Sequence, residues 1–207
     1  MDRFQVVYFL EDRAHEGFIK ALVERIAGEE GLAPTWVEHD VRSARYGSKA
    51  VVEWRKFLQE VRHWRTPHPD LWVIAIDGNC HGYTERVAQL RRYLKPTDAF
   101  QENVVFAIPD PHVERWYLID QRALKEATGL AEAPGAPPYK CKKNFYKDEL
   151  RRALAPPPVQ SLLGGPEFAE RIVQHMGDLR DLARQEPSFA KLVNDLRAQF
   201  RKRRGAT

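Results

Sequence analysis

The 207-residue chain, with 43% hydrophobic content and five Trp, ten Phe and seven Tyr, has ample material for a globular interior and can fill one core or a core with an appendage. Its formal charge of +4 is uneven: residues 1–120 carry 16 Lys/Arg against 19 Asp/Glu (net −3), and residues 121–207 carry 17 against 10 (net +7). No apolar run reaches the roughly 20 residues of a membrane-spanning helix, and the amino terminus lacks the pattern of a secretory signal, so no membrane role and a cytoplasmic location are expected. Cys80 and Cys141 lie far apart without a CxxC pair; a disulfide framework and a cysteine zinc site are therefore not indicated, and both are expected as free thiols.

In chain order, Gln5 to Leu10 is a nearly all-apolar run, as in a strand of a parallel sheet buried on both faces. From His15 to Glu30, Phe18, Ile19, Leu22, Val23 and Ile26 recur at helical spacing, and Gly28 and Gly31 mark the end of that helix. Thr35 to Val41 alternates like a strand exposed on one face. Ser48 is a candidate cap for a helix from Lys49 to Trp64, and Pro67 and Pro69 close the unit. Leu71 to Ile76 is a second apolar strand, followed by a turn and a helix from Tyr83 to Leu94; Val104 to Ile108 is another strand, and Val113 opens a further helix.

Leu130 to Asn144 has no periodicity and reads as a surface loop. Tyr146 to Leu154 is a short helix stopped by Pro156–Pro158, and 166–176, 178–185 and 188–201 read as helices ahead of a flexible basic tail, Arg201–Arg204. Four βα-like units followed by helices predict an α/β core with a mostly parallel central sheet flanked by helices and a helical C-terminal cap, divided at 1–125 and 126–207.

The chemistry concentrates at the predicted strand ends, where open parallel sheets gather their ligands. Glu11 follows the first strand and Glu16 comes five residues later, near the start of the first helix; Asp77 and Asn79 follow LWVIAI, where spacing by two brings both side chains to one side of an extended segment; Glu114 follows the last strand. Hard oxygen ligands converging on one point suit magnesium or manganese, and two such ions about 3.5 to 4 Å apart can activate water and stabilise a leaving oxygen in phosphodiester hydrolysis. Each acid also has a plainer role. Asp-Gly-Asn is a common turn, Glu16 favours its helix start, and Glu114 can pair with Arg115.

LEDRAHEGFIKALVERI resembles the opening of the Toprim fold, shared by topoisomerases, primases and overcoming-lysogenisation-defect nucleases. There a strand-end Glu is followed by a second acid and an amphipathic helix. Asp77-Gly78-Asn79 is similar to the second motif, an Asp-x-Asp pair, and the segment from Pro109 to Leu118 is similar to the proline, acid, Glu-x-Trp segment of small stand-alone relatives that accompany ATPases in bacteria. The resemblance covers residues 5–120. It implies a Toprim-like Rossmannoid core, Glu11 and Asp77 as catalytic metal ligands, and Glu16 and Glu114 as ligands or supporting acids. It also implies a metal-dependent nuclease with an ATPase partner in defence or DNA maintenance. The sequence departs from the pattern at Asn79, which replaces an acid, and at Asp12, where many relatives have Gly.

Lys140, Lys142, Lys143 and Lys147, interleaved with Tyr139, Phe145 and Tyr146, can follow a nucleic-acid backbone, DNA in the first place, or be a charged loop with two core aromatics. Lys147 is the choice for a cation beside the scissile phosphate. The sequence has no phosphate-binding Gly-x-x-x-x-Gly-Lys loop, dinucleotide turn, serine elbow or His-Glu-x-x-His helix; a Cys80, His81 and Cys141 metal site is a weak alternative. The rival to an enzyme is a non-catalytic module that holds nucleic acid or a protein partner, with Asn79 as its support; oligomeric assembly is open.

Overall fold

In a computed structural model the described residues are 3–32, 37–44, 47–64, 68–155, 159 and 161–205. Thr35, Pro67, Pro156–Pro158 and the side chain of Ser48, invoked above as strand start, stops and cap, lie outside them.

Among the described residues four strands, β1 (Phe4–Leu10), β2 (Val37–Ser43), β3 (Leu71–Ala75) and β4 (Val104–Ala107), form one sheet in the order β2-β1-β3-β4. Every pairing is parallel, with Val6 opposite Leu71 and Leu10 opposite Ala75 in the central pair. The apolar runs of β1 and β3 thus occupy the middle, where both faces are covered, and the alternating segment takes the edge as β2. Period two then sorts the side chains. Tyr8, Leu10, Val73 and Val105 face one cluster, and Phe9, Trp72, Ile74 and Phe106 face the other.

Two helices cover the second face: α2 (Ala50–Val61), bringing Trp54, Phe57 and Leu58, and α3 (Gly82–Arg91), bringing Val87 and Leu90. The first face takes α1 (Arg13–Glu29) and residues from 113 onward: α4 (Val113–Tyr117), α5 (Gln121–Thr128), α6 (Phe145–Leu154), α7 (Ala169–His175), α8 (Leu179–Gln185) and α9 (Pro187–Gly205). Phe18 of α1 stacks on Tyr117 with centroids 5.2 Å apart and meets Phe189 edge-on at 6.5 Å, so residues beyond 126 share one apolar cluster with the sheet.

Two elements differ from the sequence reading. Helix α5 was not anticipated; Asp120 caps it by accepting from the Ala123 N–H, and Gly129 ends it at φ 78°. The basic tail is not a loose end. It continues α9, and Arg201 donates two hydrogen bonds of 2.8 Å to Glu30 at the end of α1, so an ion pair fixes the last helical turns. None of the described helices is long and apolar enough to cross a membrane.

Cys80 and Cys141 are joined, with Cα atoms 5.6 Å apart, correcting the expectation of free thiols and removing both from any metal site with His81. Spacing in sequence carried no trace of this, because only folding brings the 130–144 segment across the carboxyl end of β3. A bridge closing a loop of this length constrains the unfolded chain by about 2–4 kcal/mol. Thiol titration of the denatured, unreduced protein is expected to find no free thiol, and Cys80→Ser with Cys141→Ser to lower the melting temperature; two reactive thiols would refute the bond.

Candidate metal centre

The sheet's strand order reverses direction between β1 and β3: α1 leads to β2 on one side, and the chain then crosses to β3 on the other. The crevice beyond the carboxyl ends of those two strands is where such sheets bind ligands. Glu11 and Asp77 stand there. The Glu11 N–H donates to the Ala75 carbonyl at 2.8 Å, extending the ladder by one residue, and Glu11 Oε2 accepts from the Asp77 N–H at 2.8 Å. The two acids are therefore linked directly, and both are buried.

Two histidines complete the cluster. Asp12 caps α1, accepting from the Ala14 N–H at 2.9 Å, and the same oxygen lies 2.9 Å from His15 Nδ1. This places the fully buried His15 ring over the strand ends, with Nε2 3.2 Å from Asp77 Oδ1 but off line for a hydrogen bond. His112, just before α4, approaches Asp77 Oδ2 through Nδ1 at 3.1 Å, and the Val113 N–H donates to Asp77 Oδ1 at 2.9 Å. Ligand atoms of Glu11, His15 and Asp77 all lie within 4.8 Å of one another. Three polar atoms in this neighbourhood, His15 Nε2, His112 Nε2 and Glu114 Oε2, are buried without a hydrogen-bond partner among the described residues.

Charge is distributed unequally. Burial, then the charge of Asp77, pushes Glu11 up to about 7. Burial would also raise Asp77, but the facing His15 and His112 hold it well below the usual carboxylate range. Burial opposes a charged His15, yet Asp77 and Asp12 raise it well above an ordinary imidazole, so Asp77 and His15 form an ion pair. Glu114 is raised, by burial first and by Asp77 second.

The remaining predicted residues divide between this cluster and elsewhere. Glu114, in the first turn of α4, is buried with Oε1 3.7 Å from Lys147 Nζ, while Arg115 pairs with Glu186 instead. Burial alone would lower Lys147, but Glu114, Asp12, Asp77 and Glu11 together raise it, so it stays a cation beside the acids. Asn79 does not join: the chain turns left-handed there (φ 49°), not extended, and its side chain is exposed. Gly78 lets Asp110 come close enough to accept from the Cys80 N–H, since a Cβ would stand 2.5 Å from Asp110 Oδ1. Glu16 lines a separate groove with Lys20 and Glu24, along α1. Lys140, Lys142 and Lys143 are exposed on the segment that Cys141 tethers to Cys80.

Sequence reasoning missed His15 and His112. A signal for the first existed in Asp12-x-x-His15, a helix-capping acid three residues before an imidazole, because helical side chains lean back toward their amino terminus. No family model matches the chain, and neither curated proteins nor solved structures yield a match.

Proposed function

We propose that the chain is a divalent-metal-dependent enzyme that cleaves or nicks nucleic acid, of the Toprim-like nuclease type, with DNA as the first substrate to try. What supports the reading is one observation: Glu11 and Asp77 meet at the ends of neighbouring parallel strands, with the buried His15 imidazole against Asp77 and Lys147 against the nearby Glu114. The donor set fits a cation that enters as protons leave: it would relieve the buried carboxyl pushed up to about 7 and take the place of the proton on His15 Nε2, which makes no hydrogen bond. Glu11, Asp77 and His15 would hold the ion. A mixed nitrogen and oxygen set suits manganese better than the all-oxygen set expected for magnesium.

Bound there, the ion would supply Lewis-acid charge at a phosphoryl oxygen and lower the pKa of a water. The chain's own groups have definable tasks. Lys147 offers positive charge to a phosphate at the rim, Asp12 holds the His15 ring in orientation, and Asp77 holds the His112 ring through its Nδ1. An ATPase partner belongs to the same proposal. The Cys80–Cys141 bond weighs against a reducing compartment, and thiol trapping in intact cells would decide that point.

A second reading, a binding module without catalysis, is favoured by two observations: Asn79 faces solvent, and both Asp77 oxygens already have protein partners. Plasmid and short single strands incubated with magnesium, manganese or chelator separate the two. Metal-dependent cutting is expected, reduced at least about 100-fold by Glu11→Gln and by Asp77→Asn, with folding checked by circular dichroism. Binding without cutting in every metal would establish the second reading.

A further inference from the structure

Beside the acid cluster, and sharing Asp12, Glu114 and Lys147 with it, runs a groove of about 310 Å³ that also takes Arg13, Arg151 and Gly164 into its walls. Three cations reach it from two elements. Arg13 is in the first turn of α1, while Lys147 and Arg151, four residues apart, share one face of α6. Lys147 faces Glu114, but Arg13 and Arg151 form no ion pair among the described residues. Of the two carboxylates in the walls, Asp12 accepts from Ala14 and His15 and Glu114 faces Lys147, so neither arginine has an ion-pair partner of its own there.

The position of Arg151 is built into the backbone. Gly164 has φ +78°, and a Cβ there would stand 3.0 Å from Arg151 Nε and 3.2 Å from its Cγ; the side chain lies across a bare Cα. Gly165 gives the same clearance to Leu150, where a Cβ would fall 2.3 Å from Cδ2. This turn is thus shaped to the arginine-bearing face of α6. A planar guanidinium whose stem lies against this turn, lining one groove with a second guanidinium and an ammonium, matches the oxygens of a phosphate group.

We propose that this groove is a phosphate subsite for a nucleic-acid strand, in which Arg13 and Arg151 hold a phosphate adjoining the one that Lys147 presents to the acid cluster. The substrate role rests on the nuclease reading above; phosphate binding by itself does not. The site differs from the lysine-rich 140–143 segment expected to follow the backbone, because Arg13, Arg151 and Lys147 line a concave surface next to the acids and Lys140, Lys142 and Lys143 do not.

The test is strand binding without chemistry. Fluorescent single-stranded oligonucleotides, with and without a 5′-phosphate, are titrated in chelator into protein carrying Glu11→Gln, alone or with Arg13→Glu, Arg151→Glu or Gly164→Ala. Arg152→Glu serves as control, since Arg152 is on the same helix but outside the groove walls and paired with Glu149. Each arginine reversal is expected to weaken binding at least ten-fold and lower the salt slope by about one, with Gly164→Ala intermediate. Equal losses for both strands assign an internal phosphate, and a loss confined to the 5′-phosphorylated strand assigns a terminal one. If Arg13→Glu and Arg151→Glu change binding no more than Arg152→Glu, the subsite is refuted, whether or not the protein cuts. If binding needs both arginines but nothing is cut in any metal, the subsite stands and the nuclease reading falls.

Discussion

In chelator at pH 8, Glu11→Gln is expected to melt above the wild-type protein, by the equivalent of about 1–3 kcal/mol. Glu11 is buried against Asp77, and its carboxyl is raised from 4.5 to about 7. Below pH 4.5 the folded and unfolded chains are both protonated at this position. Between 4.5 and 7 the unfolded chain has released a proton that the folded chain still holds, so stability falls as pH rises; above 7 the full cost remains. Glutamine carries no charge yet keeps an oxygen to accept from the Asp77 N–H, so the fold keeps its link between the strand ends. The gap between variant and wild type should therefore open from pH 4.5 to 7, read by thermal melts across that range. Superimposable melts from pH 5 to 8 would show that the carboxylate costs nothing. Manganese should close or reverse that gap: at 100 times its Kd it stabilises the wild-type protein by about 2.7 kcal/mol and leaves Glu11→Gln unmoved. Protons compete for the same carboxylate, so metal affinity should weaken as pH falls below about 7.

Glu186→Ala is expected to destabilise the protein by about 3–5 kcal/mol, a loss of roughly 10 °C in melting temperature. Arg115 follows Glu114 in α4 and donates through Nε to Glu186, which precedes α9, and through Nη1 to the Tyr146 hydroxyl of α6 at 2.7 Å. Its guanidinium lies 5.3 Å from the Tyr139 ring centroid and 5.5 Å from that of Tyr146. Glu186 also accepts from the Ser188 hydroxyl at 2.7 Å, and that hydroxyl lies 3.0 Å from Trp116 Nε1. The network fastens α6 and α9 to the element carrying Glu114. Removing Glu186 leaves a largely buried guanidinium with no counter-charge, which is costlier than removing both partners. The double variant Arg115→Met, Glu186→Leu should therefore recover much of the loss. A cost below about 1 kcal/mol for Glu186→Ala would mean that solvent already screens the pair.

The core of the fold was legible because it rests on local periodicity. QVVYFL and LWVIAI contain no polar residue after Gln5, and such runs belong in the middle of a parallel sheet; the stripe from Phe18 to Ile26 belongs to a helix lying on it. Placement of Glu11 and Asp77 followed, since a residue just past a buried strand emerges at the sheet's carboxyl end. Asn79 shows where that reasoning stops: spacing by two aligns side chains only while the backbone stays extended, and a left-handed turn breaks the alignment. Glu16 shows it again, because one helical turn carried it along α1 into another groove.

By itself, then, the sequence determined the α/β class, the two apolar central strands and the pair of acids at their ends, all consequences of side-chain period and of residues adjacent in the chain. Tertiary structure alone decided that His15 and His112 flank Asp77, that Lys147 rather than its lysine neighbours meets Glu114, and that Cys80 reaches Cys141. Those contacts join residues far apart or on different elements, and their energies depend on burial and on which charges face one another across the crevice. Neither quantity exists until the helices have packed on the sheet.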